Sequence, residues 1–169
     1  MGIDQAGQSS GKNSPPDQTI QEVAQHKALA DLRNRAYGYL ARREHSAHEL
    51  KKKLDRFDEY GQIVELIKEL NSQNAQSDLR FAEQIGRVRV AAGKGPMVLQ
   101  QELEQNRIDS VIIEGVMAIY EGEWTALAEQ ARQKKFGAAE PENYSQWAKH
   151  ARFLQQRGFT ANEIPPYRP

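Results

Sequence analysis

The 169-residue chain contains no cysteine, and no apolar run approaches the roughly 20 residues that a membrane-spanning helix requires. The absence of cysteine excludes disulfide bonds and metal sites built on thiolates. The first residues also lack the apolar core of a secretory signal. We therefore expect a cytoplasmic protein that makes no contact with a membrane.

Apolar residues are scarce as well: they form 38% of the chain, and the mean hydropathy is −0.79. At roughly 100 to 200 residues per domain, the length allows one domain or a short array of small modules. A core this thin is typical of repeat proteins, in which each unit contacts only its neighbours.

The sequence also lacks residue patterns typical of catalysis or metal binding. Gly93-Lys94-Gly95 has neither the glycine spacing nor the Ser/Thr of a phosphate-binding loop, so we interpret it as a turn between helices. His45 and His48 flank a helix start and could bind a metal with Glu44 or Glu49, but no further ligand is close in sequence, so we interpret them as surface residues. We therefore predict a protein that is not an enzyme, with no catalytic residue, no metal site and no cofactor.

What the chain does contain is a repeat with a period of 51 residues. In each copy an apolar residue is followed by a helix-capping residue, and an isoleucine comes four or five positions later. The copies are Phe57-Asp58 with Ile63, Ile108-Asp109 with Ile113, and Phe159-Thr160 with Ile164. A fixed period indicates one supersecondary unit stacked on its neighbours, which favours a binding protein over an enzyme.

Apolar residues recur at helical spacing through most of the sequence, and no strand pattern competes with them. Leu29, Leu32, Ala36 and Leu40 predict a first helix from about residue 26 to 43. Phe81, Ile85, Val88 and Ala92 predict the buried stripe of a later helix. Predicted helix caps follow at Ser46, Asp58, Ser77, Asp109, Asn143 and Thr160.

These patterns predict an all-α protein of three tandem three-helix repeats in an elongated, curved array, with the last repeat truncated. Residues 1–25 are predicted to be a disordered tail, because they are polar and contain Pro15-Pro16. Repeat 1 spans residues 26–76, repeat 2 residues 77–122 and repeat 3 residues 123–169. Repeat 3 is incomplete because Pro165-Pro166 stops its last helix.

The formal net charge is zero, but the charges alternate in sign along the chain. Residues 26–57 carry nine basic and four acidic residues, and residues 58–79 have a net charge of −4. Residues 80–94 have a net charge of +3, and residues 95–123 one of −5. Each repeat therefore opens with basic helices and closes with acidic ones, which predicts separate surfaces of each sign.

The basic stripes are our candidates for binding a partner, because such stripes suit a phosphate backbone or an acidic protein groove. Tyr39 lies among them and could stack on a base, whereas Trp124 and Trp147 head apolar stripes and are interpreted as core residues. The predicted partner-binding residues are Arg35, Tyr39, Arg42, Arg43, Lys51, Lys52, Arg80, Arg87, Lys94, Lys134, Lys135 and Arg152.

Several motifs, in order along residues 26–164, resemble the bacterial RecX regulatory proteins. The opening signature is Tyr37-Gly38-Tyr39-Leu40-Ala41-Arg42-Arg43-Glu44-His45-Ser46, followed by Glu49-Leu50 and Lys53-Leu54. Phe81-Ala82, Gly93-Lys94-Gly95-Pro96, and Leu99 with Glu102-Leu103 resemble the second module of that family. Lys134-Lys135-Phe136-Gly137, Phe153-Leu154 and Arg157-Gly158-Phe159 resemble the third.

This resemblance implies a regulator of the RecA recombinase. The family binds RecA and its filament on single-stranded DNA, and inhibits the ATPase, strand-exchange and co-protease activities of RecA, tempering recombination and the SOS response. Some members also bind DNA, so single- and double-stranded DNA are further candidate partners. Two departures stand out: residues 55–60 are about two residues shorter than the usual turn, and the family generally continues its last helix beyond the position of Pro165.

We therefore expect a monomer that binds RecA filaments through its basic surfaces. The alternative hypothesis is a sequence-independent DNA-binding protein with tandem units resembling helix-turn-helix motifs. Binding to DNA in the absence of RecA, measured at increasing salt, distinguishes the two hypotheses.

Overall fold

The computed structural model describes residues 16–168, which form eight α-helices and one 3-10 turn and contain no β-strand. The helices are α1 (Pro16–Leu40), α2 (Ala47–Leu54), α3 (Ile63–Ser72), α4 (Asp78–Ala91), α5 (Pro96–Gln105), α6 (Ser110–Ile119), α7 (Trp124–Phe136) and α8 (Tyr144–Gln156), and the 3-10 turn is Asp55–Phe57. Within the described residues, no helix is both long and apolar enough to span a bilayer.

The buried residues form three separate cores, one for each predicted repeat. Repeat 1 buries Leu32, Leu50, Leu54, Ile63, Leu66 and Leu70, repeat 2 buries Phe81, Leu99, Leu103, Ile108, Ile113 and Val116, and repeat 3 buries Leu154, Phe159 and Ile164 with three alanines. The three isoleucines of the 51-residue period are all core residues. The three-helix repeats are confirmed, while their limits and the curved, elongated arrangement stay predictions.

The predicted caps bind backbone amides near the helix starts. Ser46 accepts a hydrogen bond from the Glu49 amide at 3.0 Å, and Asn143 accepts one from the Gln146 amide at 3.0 Å. Asp58 binds the amides of Gln62 and Ile63 instead of those directly after it, so α3 starts later than predicted. The capping residues therefore set most helix starts, as the sequence indicates.

Helix α1 corrects the prediction of a disordered tail over residues 1–25. It begins at Pro16 and ends at Leu40, so residues 16–25 are helical, and residues 1–15 lie outside the described residues. Proline is tolerated in the first turn of a helix because the amide it lacks has no partner there. Pro15-Pro16 was interpreted as a block to helix formation, whereas Pro16 is the first helical residue.

The buried face of α4 is rotated from the predicted stripe. Phe81 and Ile85 face the core as predicted, but Val88 is 48% exposed and Ala92 is exposed. Ala82 and Gly86 are buried instead, and a Cβ at Gly86 would lie 3.2–3.3 Å from Tyr120 and Val116 on the α6 side. Small residues on this face allow α4 to approach α6 closely.

A polar network joins repeat 1 to repeat 2. Asp78 Oδ1, at the start of α4, accepts hydrogen bonds from the Ala47 amide and from Gln76 Nε2, both at 2.8 Å. The same Gln76 nitrogen donates to the carbonyl of His45 at 3.1 Å. The first turns of α2 and α4 are thereby held together.

Backbone contacts join repeat 2 to repeat 3. The Gly95 amide donates to the Arg157 carbonyl at 2.8 Å, and the Met97 amide donates to the Gly158 carbonyl at 3.1 Å. A Cβ on Gly95 would lie 2.5 Å from backbone atoms of Gly158 and Phe159, so only glycine fits there. The predicted turn at Gly93-Lys94-Gly95 is confirmed, and it also forms this junction.

The C-terminal residues form one turn after Phe159 and then lie along α8. Glu163 Oε2 accepts from the Thr160 amide and hydroxyl, as in a capping box, and the Ile164 amide donates to the Thr160 carbonyl at 3.1 Å. Trp147 Nε1 donates to the Pro165 carbonyl at 2.9 Å. These contacts hold residues 160–165 against repeat 3. No full helix follows α8 in the described residues, in agreement with the prediction that Pro165-Pro166 stops the last helix.

Candidate partner-binding surface

A basic groove lies between α2 of repeat 1 and the end of α5 in repeat 2. It has a volume of about 660 Å³ and is lined by Tyr39, His48, Glu49, Lys52, Lys53, Arg56, Gln105 and Asn106. We call it the α2–α5 groove. Three of its lining side chains are basic, namely Lys52, Lys53 and Arg56, and two others are amides that donate and accept hydrogen bonds.

The one carboxylate of the α2–α5 groove is already paired. Arg43 binds Glu49 with both terminal nitrogens, one of them at 2.9 Å from Oε2. Burial would raise the pKa of Glu49, but the hydrogen bond and charge of Arg43 outweigh it and hold that pKa below its ordinary value. Lys53 Nζ lies 5.2 Å from the centre of the Tyr39 ring. The groove therefore presents a net positive surface with an aromatic ring.

A second groove continues from Arg56 along α1. It has a volume of about 380 Å³ and is lined by Ala24, Lys27, Ala28, Asp31, Leu32, Arg35, Arg56, Phe57, Glu59 and Tyr60. We call it the Phe57 groove. The guanidinium carbons of Arg35 and Arg56 lie 3.9 Å and 4.6 Å from the centre of the Phe57 ring. Because Arg56 lines both grooves, repeat 1 carries one continuous basic surface.

Two of the predicted binding residues form ion pairs with carboxylates on other elements of the chain. Arg80 Nε donates to Glu44 Oε1 at 2.8 Å, and its terminal nitrogens bind the Asn74 side chain and the Asn74 and Ala75 carbonyls. The second is Arg43, through its pair with Glu49. Arg80 therefore links repeat 1 to α4. Its guanidinium is occupied by these contacts, whereas the sequence predicts that it is available to a partner.

The other predicted basic residues are available to solvent to different degrees. Arg42, Lys52, Lys134, Lys135 and Arg152 are exposed and form no ion pair with any residue between 16 and 168, and Lys94 is half-buried. Lys51 and Arg87 form only exposed pairs along their own helices, with Asp55 at 3.3 Å and Glu83 at 4.0 Å. Such pairs are weak enough to exchange for a partner.

The basic residues of repeat 3 are distant in sequence from the grooves of repeat 1. Lys134 and Lys135 lie near the end of α7, and Arg152 lies on α8. Both tryptophans are half-buried and pack against the cores, as predicted: Trp124 packs against the cores of repeats 2 and 3, and Trp147 against that of repeat 3.

His45 corrects the interpretation of the two neighbouring histidines as surface residues. It is 3% exposed, its Nδ1 lies 3.0 Å from the Arg43 carbonyl, and its ring centre lies 5.9 Å from that of Tyr39. Burial lowers its pKa below the ordinary value of histidine, despite the hydrogen bond to Arg43. His48, by contrast, is half-buried and lines the α2–α5 groove.

Arg56, His48 and the amides of Gln105 and Asn106 are not among the binding residues that the sequence predicts, whereas Lys53 belongs to the basic run Lys51-Lys52-Lys53 of α2. Arg56 is next to Phe57, so it was detectable as part of the basic segment. The two amides were not, because they lie about 50 residues away and reach the groove only through the contact between repeats 1 and 2.

The chain is similar in sequence to proteins of a known family. The family model for the second three-helix domain of RecX matches residues 77–117, and that for the third matches residues 121–164. The regulatory protein RecX of Halorhodospira halophila is 37% identical over 134 residues, covering 79% of this chain and 83% of its own. The chain belongs to the RecX family. The regulatory protein RecX of Stenotrophomonas maltophilia is 38% identical over 133 residues, covering 77% of this chain and 80% of its own.

Solved RecX structures share the fold. A crystal structure of regulatory protein RecX superposes with a TM-score of 0.74, at 23% identity over 90% of this chain and 78% of that one. The crystal structure of RecX from Lactobacillus salivarius gives a TM-score of 0.66, at 23% identity over 82% of this chain and 93% of that one. The predicted family and the all-α repeat fold are thus confirmed, and the names of the relatives support a regulatory role.

Proposed function

We propose that this RecX protein binds the RecA recombinase and its filament on single-stranded DNA, and inhibits the ATPase, strand-exchange and co-protease activities of RecA. In this way it would temper recombination and the SOS response in the cytoplasm. The observation that carries the proposal is the 37% identity to a regulatory protein RecX over 79% of the chain. The mechanism is non-enzymatic, because binding alone can block a groove or the exchange of subunits.

The surface of repeat 1 supports this proposal. The α2–α5 groove presents Lys52, Lys53 and Arg56, and its carboxylate is already neutralised by Arg43. A groove with this balance attracts a phosphate backbone, and the ring of Tyr39 offers a stacking surface for a base. We assign this groove to the DNA of the filament. Three tandem repeats would let one molecule contact several adjacent RecA subunits.

The proposal is tested with purified protein and preformed RecA filaments on single-stranded DNA. Stoichiometric protein should lower the DNA-dependent ATPase rate of RecA, slow strand exchange and slow cleavage in a co-protease assay. An unchanged rate in all three assays, at concentrations where the protein co-sediments with filaments, would contradict inhibition. Failure to co-sediment would contradict the proposed partner itself.

Direct DNA binding is the alternative, and it is favoured by Lys52, Lys53 and Arg56 of the α2–α5 groove, which form no ion pair within residues 16–168. Binding to single- and double-stranded DNA without RecA should then be tight and fall steeply with salt, because each neutralised phosphate releases counterions. If RecA is the main target, binding to DNA alone will be weak at physiological salt, and adding RecA will restore it.

A further inference from the structure

The Phe57 groove differs in chemistry from the adjacent α2–α5 groove. Arg35 and Arg56 both lie over the Phe57 ring, and within residues 16–168 neither guanidinium has an ion pair or a side-chain hydrogen bond. Contact with the ring holds each guanidinium by a cation–π interaction, which leaves its N–H groups available to bind an anion. Two like charges beside one ring, neither of them in an ion pair within residues 16–168, favour a ligand that brings negative charge to them.

The anion that fits this groove is not a continuous polyanion. The carboxylates of Asp31 and Glu59 line the same groove as Lys27, Arg35 and Arg56. A DNA strand carries one phosphate for every 3.4 Å or so of helix axis, so it would place charges against these carboxylates. A peptide with one or two acidic side chains can place them on the arginines and avoid Asp31 and Glu59.

The groove also has an apolar floor, formed by Ala24, Ala28, Leu32, Phe57 and Tyr60. It continues along α1, since Ile20 lies one turn before Ala24 on the same face and is 68% exposed. Isolated exposed apolar residues are common, but here Ile20 extends a surface that already has apolar and cationic parts. A ligand that covers it needs apolar side chains next to its acidic ones.

We infer that the Phe57 groove is the protein-facing site of this molecule, and that it binds a short segment of the partner protein in which acidic side chains adjoin apolar ones. The arginines hold the carboxylates, bidentate where the geometry allows, and the apolar side chains pack on Ala24, Ala28 and Tyr60. This inference rests on the proposed function, with RecA as the partner. It divides the basic surface of repeat 1 into a protein-binding groove and a DNA-binding groove that meet at Arg56.

The test compares two charge-reversal variants with the same change in net charge. Lys27→Glu with Arg35→Glu alters only the Phe57 groove, and Lys52→Glu with Lys53→Glu alters only the α2–α5 groove. Circular dichroism checks that both variants keep the helix content of the parent. Binding of each to DNA-free RecA and to a single-stranded oligonucleotide is then measured by fluorescence anisotropy.

We expect the Phe57-groove variant to lose at least about tenfold in affinity for RecA and less than twofold for the oligonucleotide. The α2–α5 variant should show the opposite pattern. Overlapping peptides that cover the RecA sequence should give binding to an acidic, apolar segment, and this binding should be lost in the Phe57-groove variant.

Three different results would overturn the inference. They differ in whether the proposed function survives. If the parent binds RecA and the Phe57-groove variant binds it equally well, RecA contacts another surface and the proposed function survives. If that variant instead loses oligonucleotide binding, the groove belongs to DNA. If the parent binds neither DNA-free RecA nor the preformed filament, the proposed function fails together with the inference.

Discussion

The junction between repeats 2 and 3 depends on the absence of a side chain at Gly95. An alanine Cβ there would lie 2.5 Å from the carbonyl carbon and oxygen of Gly158 and from the Phe159 nitrogen, all of them backbone atoms that cannot rotate away. The φ of Gly95 is −87°, a value that alanine adopts freely, so the effect of Gly95→Ala is steric.

The destabilisation caused by Gly95→Ala can be estimated in two ways, from the hydrogen bonds lost or from the steric overlap. Separating them breaks the hydrogen bonds from Gly95 and Met97 to repeat 3, at 2.8 Å and 3.1 Å, each with a net value of about 1 kcal/mol. Keeping them together instead imposes an overpacking cost of about 1–3 kcal/mol. The first route gives about 2 kcal/mol and the second about 1–3 kcal/mol, so we expect Gly95→Ala to lower the free energy of unfolding by about 1–3 kcal/mol.

Urea unfolding followed by circular dichroism measures this change, and Gly115→Ala serves as the matched control. Gly115 lies inside α6, and a Cβ there meets nothing within 4 Å, so alanine should stabilise that helix by up to about 1 kcal/mol. Hydrogen exchange at the Met97 amide should become faster in Gly95→Ala. A Gly95→Ala protein as stable as the parent, with the Met97 amide still protected, would refute the steric argument.

Three further predictions follow from single side chains. Arg80→Ala should lower the unfolding free energy by about 1–2 kcal/mol, a value reduced for solvent screening because the Arg80 side chain is 35% exposed. Arg87 is exposed, so Arg87→Ala should change that free energy by less than about 0.5 kcal/mol in the same urea titrations. Trp147→Phe removes the hydrogen bond to Pro165 and should cost about 1 kcal/mol, measured by thermal unfolding. Burial lowers the pKa of His45, so the unfolded chain takes up a proton that the folded chain resists: the unfolding free energy should fall as the pH drops below about 6.5, and His45→Gln should reduce that fall between pH 8 and 5.5. Equal pH dependence in both proteins would contradict this assignment.

The sequence predicted the repeats because their signals are local. A cap, an apolar residue and an isoleucine recur within a few positions, and Ser46 and Asn143 bind the amides that capping rules assign to them. The position of Pro16 was misinterpreted for an equally local reason. Proline both breaks helix interiors and suits first turns, so Pro15-Pro16 fits a helix start as well as a disordered tail.

The candidate site depends on contacts between residues far apart in sequence, and that part could not be predicted. Arg80 lies on a basic stripe in sequence, but its partner Glu44 is 36 positions away, and only the packing of α4 on repeat 1 brings them together. The α2–α5 groove likewise needs Gln105 and Asn106 from the next repeat. Charge counting identified the basic segments, whereas the fold determines which cations remain free to bind a partner.

The measurement that tests the central claim most directly is the ATPase rate of preformed RecA filaments on single-stranded DNA, with this protein added from zero to a stoichiometric amount. We expect the rate to fall with added protein, and the Lys27→Glu, Arg35→Glu variant to lower it much less at the same concentration. An unchanged rate with the parent protein, under conditions where it is folded and RecA is active, would contradict the claim that this protein inhibits RecA.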